Sequence, residues 1–322
     1  MSHIKTNIRA RGYYRIKVMR DDVCRHDTGW FENLITNQGM DWIGANPPNY
    51  NTTAGGQYLN THCGVGTGTT PPSYTDTRLT AFLAMYPSTT STNVEGGTLT
   101  YVAGPPPYWS CVWTYSFATG AVVGTLTEVG VGNTASADTS PQLFSHALIL
   151  DGSGNPTTLP VTSADALQVT YELRYYIDTT DNSYSMNVSG TTYSGTYRRA
   201  EITTAPEIYF SVFGSAGSGA TGNVYSYAYQ GFALGPTTGD PTYTAQDGGG
   251  HFSYTNTPYV PGTYYCEFTT SIGLSYANFP SYISGFRTSC NHGNYQFSIS
   301  PVIPKTSSYT LSIVWHVSWS RY

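Results

Sequence analysis

Residues 109–117 read WSCVWTYSF, and residues 264–272 read YYCEFTTSI. In the first, Trp109, Cys111, Trp113, Tyr115 and Phe117 fall at every second position, the period of a strand with one buried face. The same grammar recurs in GYYRIKVMR (12–20), LFSHALIL (143–150), ALQVTYELRYY (166–176), PEIYFSVFG (206–214), NVYSYAYQGF (223–232) and YTLSIVWHVSW (309–319), with turn residues between. Only 10% of the chain is charged, and Gly, Pro, Ser, Thr and Tyr dominate where helix formers would be needed. An all-β fold is expected. One short helix is expected at TDTRLTAFLAM (75–85), from its Thr75 or Asp76 cap and its apolar Leu79, Phe82 and Leu83.

The two opening stretches also align with each other. Cys111 falls on Cys266, and at the same offset Gly130 of EVGVG falls on Gly285 of YISGFR. CGVGTGTTPPSY (63–74) has a counterpart in GFALGPTTGDPTYT (231–244). This predicts an internal duplication: two β-sandwich-like lobes built on one strand plan. The expected division is a basic amino-terminal strand or anchor segment over 1–30, a first lobe over 31–177, a turn-rich connection over 178–194 and a second lobe over 195–322.

The glycines of CGVGTGTTPPSY invite comparison with a phosphate-binding loop. Pro71 and Pro72 disfavour immediate helix entry, however, and no Lys follows to meet a phosphate. The stretch reads as a strand end and turn. A net charge of −5 argues against a nucleic-acid partner. Yet seven of the fourteen basic residues lie in the first 25 positions: Lys5, Arg9, Arg11, Arg15, Lys17, Arg20 and Arg25. They read either as an arm that docks on an acidic neighbour or as a solvated edge strand whose charges discourage aggregation. The amino-terminal stretch lacks an apolar core, and no run approaches the length of a membrane span, so no membrane insertion and assembly in a cytosol are expected.

Chemistry-bearing patterns are sparse. The five cysteines form no C-x-x-C pair and read as buried free thiols, not metal ligands. DGSGNP (151–156) and DTTDN (178–182) offer oxygens at short spacing, but they lack the twelve-residue calcium loop and read as turns. GSAGSGATG, with Ser215 and Ser218, lacks the nucleophile-elbow pattern. Glu128 and Glu172 are flanked by apolar residues, so burial could raise either and make an acid, though facing solvent or pairing with a basic group such as Arg174 is the ordinary outcome. His146 and His316 sit in strand patterns as satisfied core or interface histidines. No cofactor, metal or catalytic residue is assigned. The 29 tyrosines exceed what two cores need, and Tyr108, Trp109, Tyr259, Tyr276, Phe279 and Tyr282, in aromatic loops, are candidates for sugar stacking or subunit interfaces.

FENLITNQGMDWIG (31–44), CGVGTGTTPPSYTDTRL (63–79), WTYSFATGAVVGTLTEVGVG (113–132), LFSHALIL (143–150) and PKTSSYTLSIVWHVSWSRY (304–322) together resemble virion structural proteins of tailed bacteriophages, of the tail fibre or tail component type. The resemblance implies a non-enzymatic particle component, assembled in the host cytoplasm as a homo-oligomer with other tail or neck proteins and contributing to host attachment. No long G-x-y or heptad tract is present, so a compact appendage, adaptor or tip fits better than a shaft. The alternative is a receptor- or glycan-binding tail-tip protein that contacts host surface polysaccharide. A capsule-polysaccharide hydrolase ranks third.

Overall fold

The computed structural model describes residues 4–44, 60–87, 98–133, 142–204, 224–290 and 292–322. It is all-β, with 58% of residues in strands. The chain divides into two compact units, one of Arg9–Val102, Trp109–Tyr175 and Ser320–Tyr322, the other of Met1–Ile8, Ala103–Tyr108 and Tyr176–Trp319.

Strands of the first unit are β1 (Ile4–Arg20), β2 (Val23–Asp27), β3 (Phe31–Glu32), β4 (Leu34–Ile35), β5 (His62–Gly66), β6 (Phe82–Pro87), β7 (Thr98–Val102), β8 (Tyr108–Phe117), β9 (Gly124–Leu126), β10 (Glu128–Asn133), β11 (Gln142–Leu148), β12 (Leu159–Val161) and β13 (Ala166–Ile177). One sheet runs β4-β11-β10-β5-β6 and the facing one β1-β13-β8-β7. Alternation decides what lies between them: Tyr14 and Ile16 of β1, Trp113 and Tyr115 of β8 and Tyr171 of β13 are buried. Polar tips in this core find partners across it. The Tyr14 hydroxyl shares a 2.7 Å bond with Ser145 Oγ and accepts from the Val131 amide at 2.9 Å.

The second unit contains β14 (Asn182–Val188), β15 (Thr191–Ala200), β16 (Tyr225–Gln230), β17 (Ala245–Gly248), β18 (Ser253–Asn256), β19 (Tyr265–Ile272), β20 (Ile283–Cys290), β21 (Gly293–Ile303) and β22 (Leu311–Arg321). Its larger sheet runs β14-β15-β21-β20-β16-β17, and β18-β19-β22 faces it across a core centred on Phe268, Phe286, Phe297 and Trp315. The two units repeat one order: β4-β11-β10-β5-β6 corresponds to β15-β21-β20-β16-β17, and β7-β8-β13 to β18-β19-β22. Cys111 and Cys266 lie on corresponding strands, as do Gly130 and Gly285. The two glycines also do the same work. A Cβ on Gly130 would meet Leu79 Cδ2 at 3.1 Å and one on Gly285 would meet Phe232 Cγ at 2.2 Å, and both neighbours come from the loop joining the corresponding strand pairs, β5–β6 and β16–β17. CGVGTGTTPPSY and GFALGPTTGDPTYT therefore feed corresponding turns.

Three expectations are corrected. Residues 75–85 are not a helix: Asp76 is tied into a turn by the Ser73 amide, and Phe82–Tyr86 pair with Cys63–Gly66. The described helix is α1 (Asn37–Gly44), where the Thr36 hydroxyl accepts from the Gly39 amide at 2.9 Å as a cap. The stretch 178–194, expected as a turn-rich connection, instead holds a paired hairpin. Tyr184 and Met186 alternate onto the core side, and the turn at Ser189 (φ 51°) and Gly190 (φ 85°) has the left-handed backbone that a two-residue hairpin requires. Cys24 is exposed, while the other four free cysteines are buried as expected. The predicted strand 206–214 and the Ser215–Ser218 loop lie outside the described residues.

Candidate functional site

Four of the sequence blocks that carry the bacteriophage resemblance lie in the first unit, and of the fifth, 304–322, only Ser320–Tyr322 belong to it. On β10, Glu128 is fully buried, and three backbone amides of the loop leaving β5 converge on its carboxylate: Gly68 (3.1 Å) and Ala81 (2.7 Å) on Oε1 and Thr80 (3.0 Å) on Oε2. The Glu128 side chain needs the space at the two glycines opposite. A Cβ on either Gly66 or Gly68 would stand 2.5 Å from its Oε1. The glycine pattern of CGVGTG thus makes room for an anion, but the anion is the protein's own.

His146 of LFSHALIL, wholly buried on β11, closes the arrangement. Its Nε2 lies 3.0 Å from Glu128 Oε2 and its Nδ1 2.7 Å from Asp76 Oδ2. Burial alone would lower the imidazole pKa, but the bonds to Glu128 and Asp76 outweigh it and raise His146 above its ordinary value. Burial likewise pushes Glu128 up, and the His146 bond with the Ala81 and Thr80 amides overrides it, holding the carboxyl down at about 2. The Glu128 and Asp76 bonds thus favour the protonated form of an imidazole set between two carboxylates. Glu128 is therefore not the raised acid that its apolar flanks suggested.

The remaining blocks are tied to the same place. The Thr36 hydroxyl donates to Leu143 O at 2.7 Å, and the Asn37 amide donates to Tyr74 O at 2.7 Å. Arg321, near the carboxyl end, donates to Ile35 O (2.7 Å) and Asn37 Oδ1 (2.8 Å) and lies 4.3 Å over the Tyr74 ring. Glu172 is spent on Arg174, in two bonds of 2.8 Å, and on the Ser110 hydroxyl at 2.7 Å.

The basic segment is the long strand β1 with its hairpin partner β2, not a separate arm. Even-numbered Ile8, Ala10, Tyr14, Ile16 and Val18 are buried, while Arg9, Arg11, Arg15 and Lys17 stand on the opposite face. Arg11 pairs with Glu32, Arg15 with Asp27 and Arg20 with Asp165. The Arg15 bond, outweighing Asp27's partial burial, holds that carboxyl at about 2. Arg9 is exposed and lies 4.6 Å over the Tyr322 ring, Arg25 is exposed on β2, and Lys17 is half-buried. The side chain of Lys5 lies outside the described residues.

The candidate aromatics have separate surroundings. Trp109 is buried against Tyr101, so it belongs to a core and not to a sugar platform. Tyr108 pairs with Tyr176 and Tyr259 with Trp319. Tyr276 stacks on His251 at 4.8 Å and Phe279 packs on the second core, leaving Tyr282, 40% exposed, as the most open of the six. The turns at 151–156 and 178–182 are closed by their own aspartates: Asp151 Oδ1 accepts the Ser153 amide and Asp178 Oδ1 the Thr180 amide. Among the described residues no group of three or more His, Cys, Asp or Glu is placed to hold a metal, and no helix is long and apolar enough to cross a membrane. The Asp76–His146 pairing is what sequence reasoning missed, because the partners lie 70 residues apart.

Compared with known proteins, the chain matches no protein-family model, no curated protein and no solved structure.

Proposed function

We propose that the protein is a structural component of a tailed-bacteriophage virion, a compact tail or tail-associated appendage or adaptor that assembles as a homo-oligomer and does no chemistry. One observation carries this reading. Four of the five sequence blocks that resemble such proteins, and Arg321 from the fifth, are joined by hydrogen bonds of Glu128, His146, Asp76, Thr36 and Arg321, and the polar atoms of that network are spent on each other, not presented to a substrate. The resembling residues thus specify a fold, as expected where the shared property is a particle part.

In this reading the outward face of β1 and the β2 hairpin, with Arg9, Lys17 and Arg25, docks against an acidic surface of a second copy or of another tail or neck protein. Removing the segment is the wrong test, because Tyr14 and Ile16 are core residues. Charge reversal at Arg9, Lys17 and Arg25 leaves that core intact. The reading expects a triple Arg9→Glu, Lys17→Glu, Arg25→Glu chain that folds, is made at normal levels and is missing from density-purified particles by mass spectrometry. Incorporation at wild-type copy number would remove the docking role, and absence of the wild-type chain from particles would remove the virion reading itself.

A further inference from the structure

Strand β16 carries Tyr225, Tyr227 and Tyr229 at alternate positions, so their side chains leave one face of the sheet, while Ser226 and Ala228 are buried on the other. These tyrosines lie outside the cluster around Phe268 and Trp315, Tyr229 being itself buried beneath its neighbours while Tyr225 is exposed. They make a separate aromatic layer. Gly231, at φ +63°, reverses the chain and lays Phe232 over Gly285, 5.6 Å from the Tyr229 ring. Tyr243, from the same loop, sits 4.6 Å from Tyr229, and Tyr227 sits 6.4 Å from it. The ends of the layer are open: Tyr225 is 50% exposed and Tyr243 43%.

A fixed polar group borders the rings. Arg287, in register with Tyr227 on β20, pairs with Glu201 and, at 3.1 Å, with Asp240, whose side chain is 50% exposed. Arg287 and Asp240 both lie within electrostatic reach of the Tyr229 hydroxyl. Two carboxylates against one guanidinium leave the border negative, which repels acidic ligands and leaves Asp240 as a pre-positioned acceptor of hydroxyl hydrogens.

We infer that this face binds a neutral polysaccharide, Tyr225, Tyr227 and Tyr243 stacking on the C–H faces of sugar rings and Asp240 accepting from their hydroxyls. A tyrosine offers an apolar face and a polar tip, which matches the two surfaces of a pyranose. A protein partner fits less well, because interface cores are depleted of charged residues such as those set beside these rings. The site is built within the second unit and does not depend on the particle assignment.

The test is binding of the full chain to a printed array of neutral hexose and N-acetylhexosamine polysaccharides alongside uronate-containing ones. Saturable signal is expected on neutral members, with about a tenfold loss, equivalent to roughly 1.4 kcal/mol, in Tyr225→Ala, Tyr243→Ala and Asp240→Asn. Tyr309→Ala, another exposed tyrosine outside the layer, should bind as wild type. Circular dichroism and melting curves confirm that each variant folds. The inference is overturned by no wild-type signal on neutral members, by signal confined to uronates, by full binding in the folded tyrosine variants, or by loss of self-association in Tyr225→Ala, which would make the face an interface between copies.

Discussion

Glu128 is a fully buried carboxylate whose charge is met by three amides and the His146 imidazole, so removing either side of that balance strands the other. Breaking a buried pair by deleting one partner costs about 3–5 kcal/mol, and Glu128→Ala is expected to destabilise by that amount in chemical denaturation. Gly68→Ala should act in the same direction without touching a charge, since its Cβ would meet Glu128 Oε1 at 2.5 Å. The network also fixes a pH dependence. Because His146 is raised in the fold, its stabilisation is full below the ordinary value of 6.5 and is lost as pH rises through the raised value. Glu128 acts at the other end: its stabilisation is full above its ordinary 4.5 and is lost as pH falls toward about 2. A third group has no such partners. His292 stacks on Trp319 at 5.2 Å, neither ring nitrogen has a hydrogen-bond partner among the described residues, and burial, aided by Arg199, lowers it to about 3. The folded state keeps it neutral while the unfolded chain takes a proton, so stability drains away as pH falls from 6.5 toward 3. Melting temperatures across pH should show this limb flattened in His292→Phe and unchanged in Tyr309→Ala.

Glycines at strand centres define how the elements fit. Gly285→Ala must displace the Phe232 ring and is expected to cost about 1–3 kcal/mol, by denaturation, with part of the loss recovered in the Gly285→Ala, Phe232→Ala double variant. The alternation that names β1, β8, β13 and β22 was legible residue by residue, and so was the Gly130–Gly285 match, because both follow from local periodicity. The element at 75–85 was not legible. Its helical spacing is local, whereas Asp76 is claimed by His146 and Phe82–Tyr86 by β5, and tertiary partners override weak propensity. Two signals that could have been used were Thr36 before NQGM, a cap, and Ser189-Gly190, a hairpin turn. Trp109 was misplaced as a surface aromatic because its strand was read correctly while the preceding prolines suggested a loop.

At the scale of the molecule, two units carry one strand order, yet they bury different polar groups beneath corresponding loops. The first holds Glu128 and His146; the second holds Gln296, whose Oε1 accepts from the Gly235 amide at 2.7 Å and whose Nε2 donates to Arg199 O at 3.0 Å. Under the two proposals, one scaffold with two linings serves two tasks, the basic face of β1 for assembly and the tyrosine face for a saccharide. Sequence made the repeat visible but not these two linings, since the side chains that differ are paired between strands and loops far apart in the chain, Glu128 with His146 across 18 residues and Gly235 with Gln296 across 61. Imaging of intact particles at a resolution that traces strands tests the central claim most directly. The account predicts both units as a symmetric set of copies in tail-associated density, the β1 face against a neighbour and the β16 face toward solvent; particles that package their genome and infect yet contain no copy of the chain would contradict it.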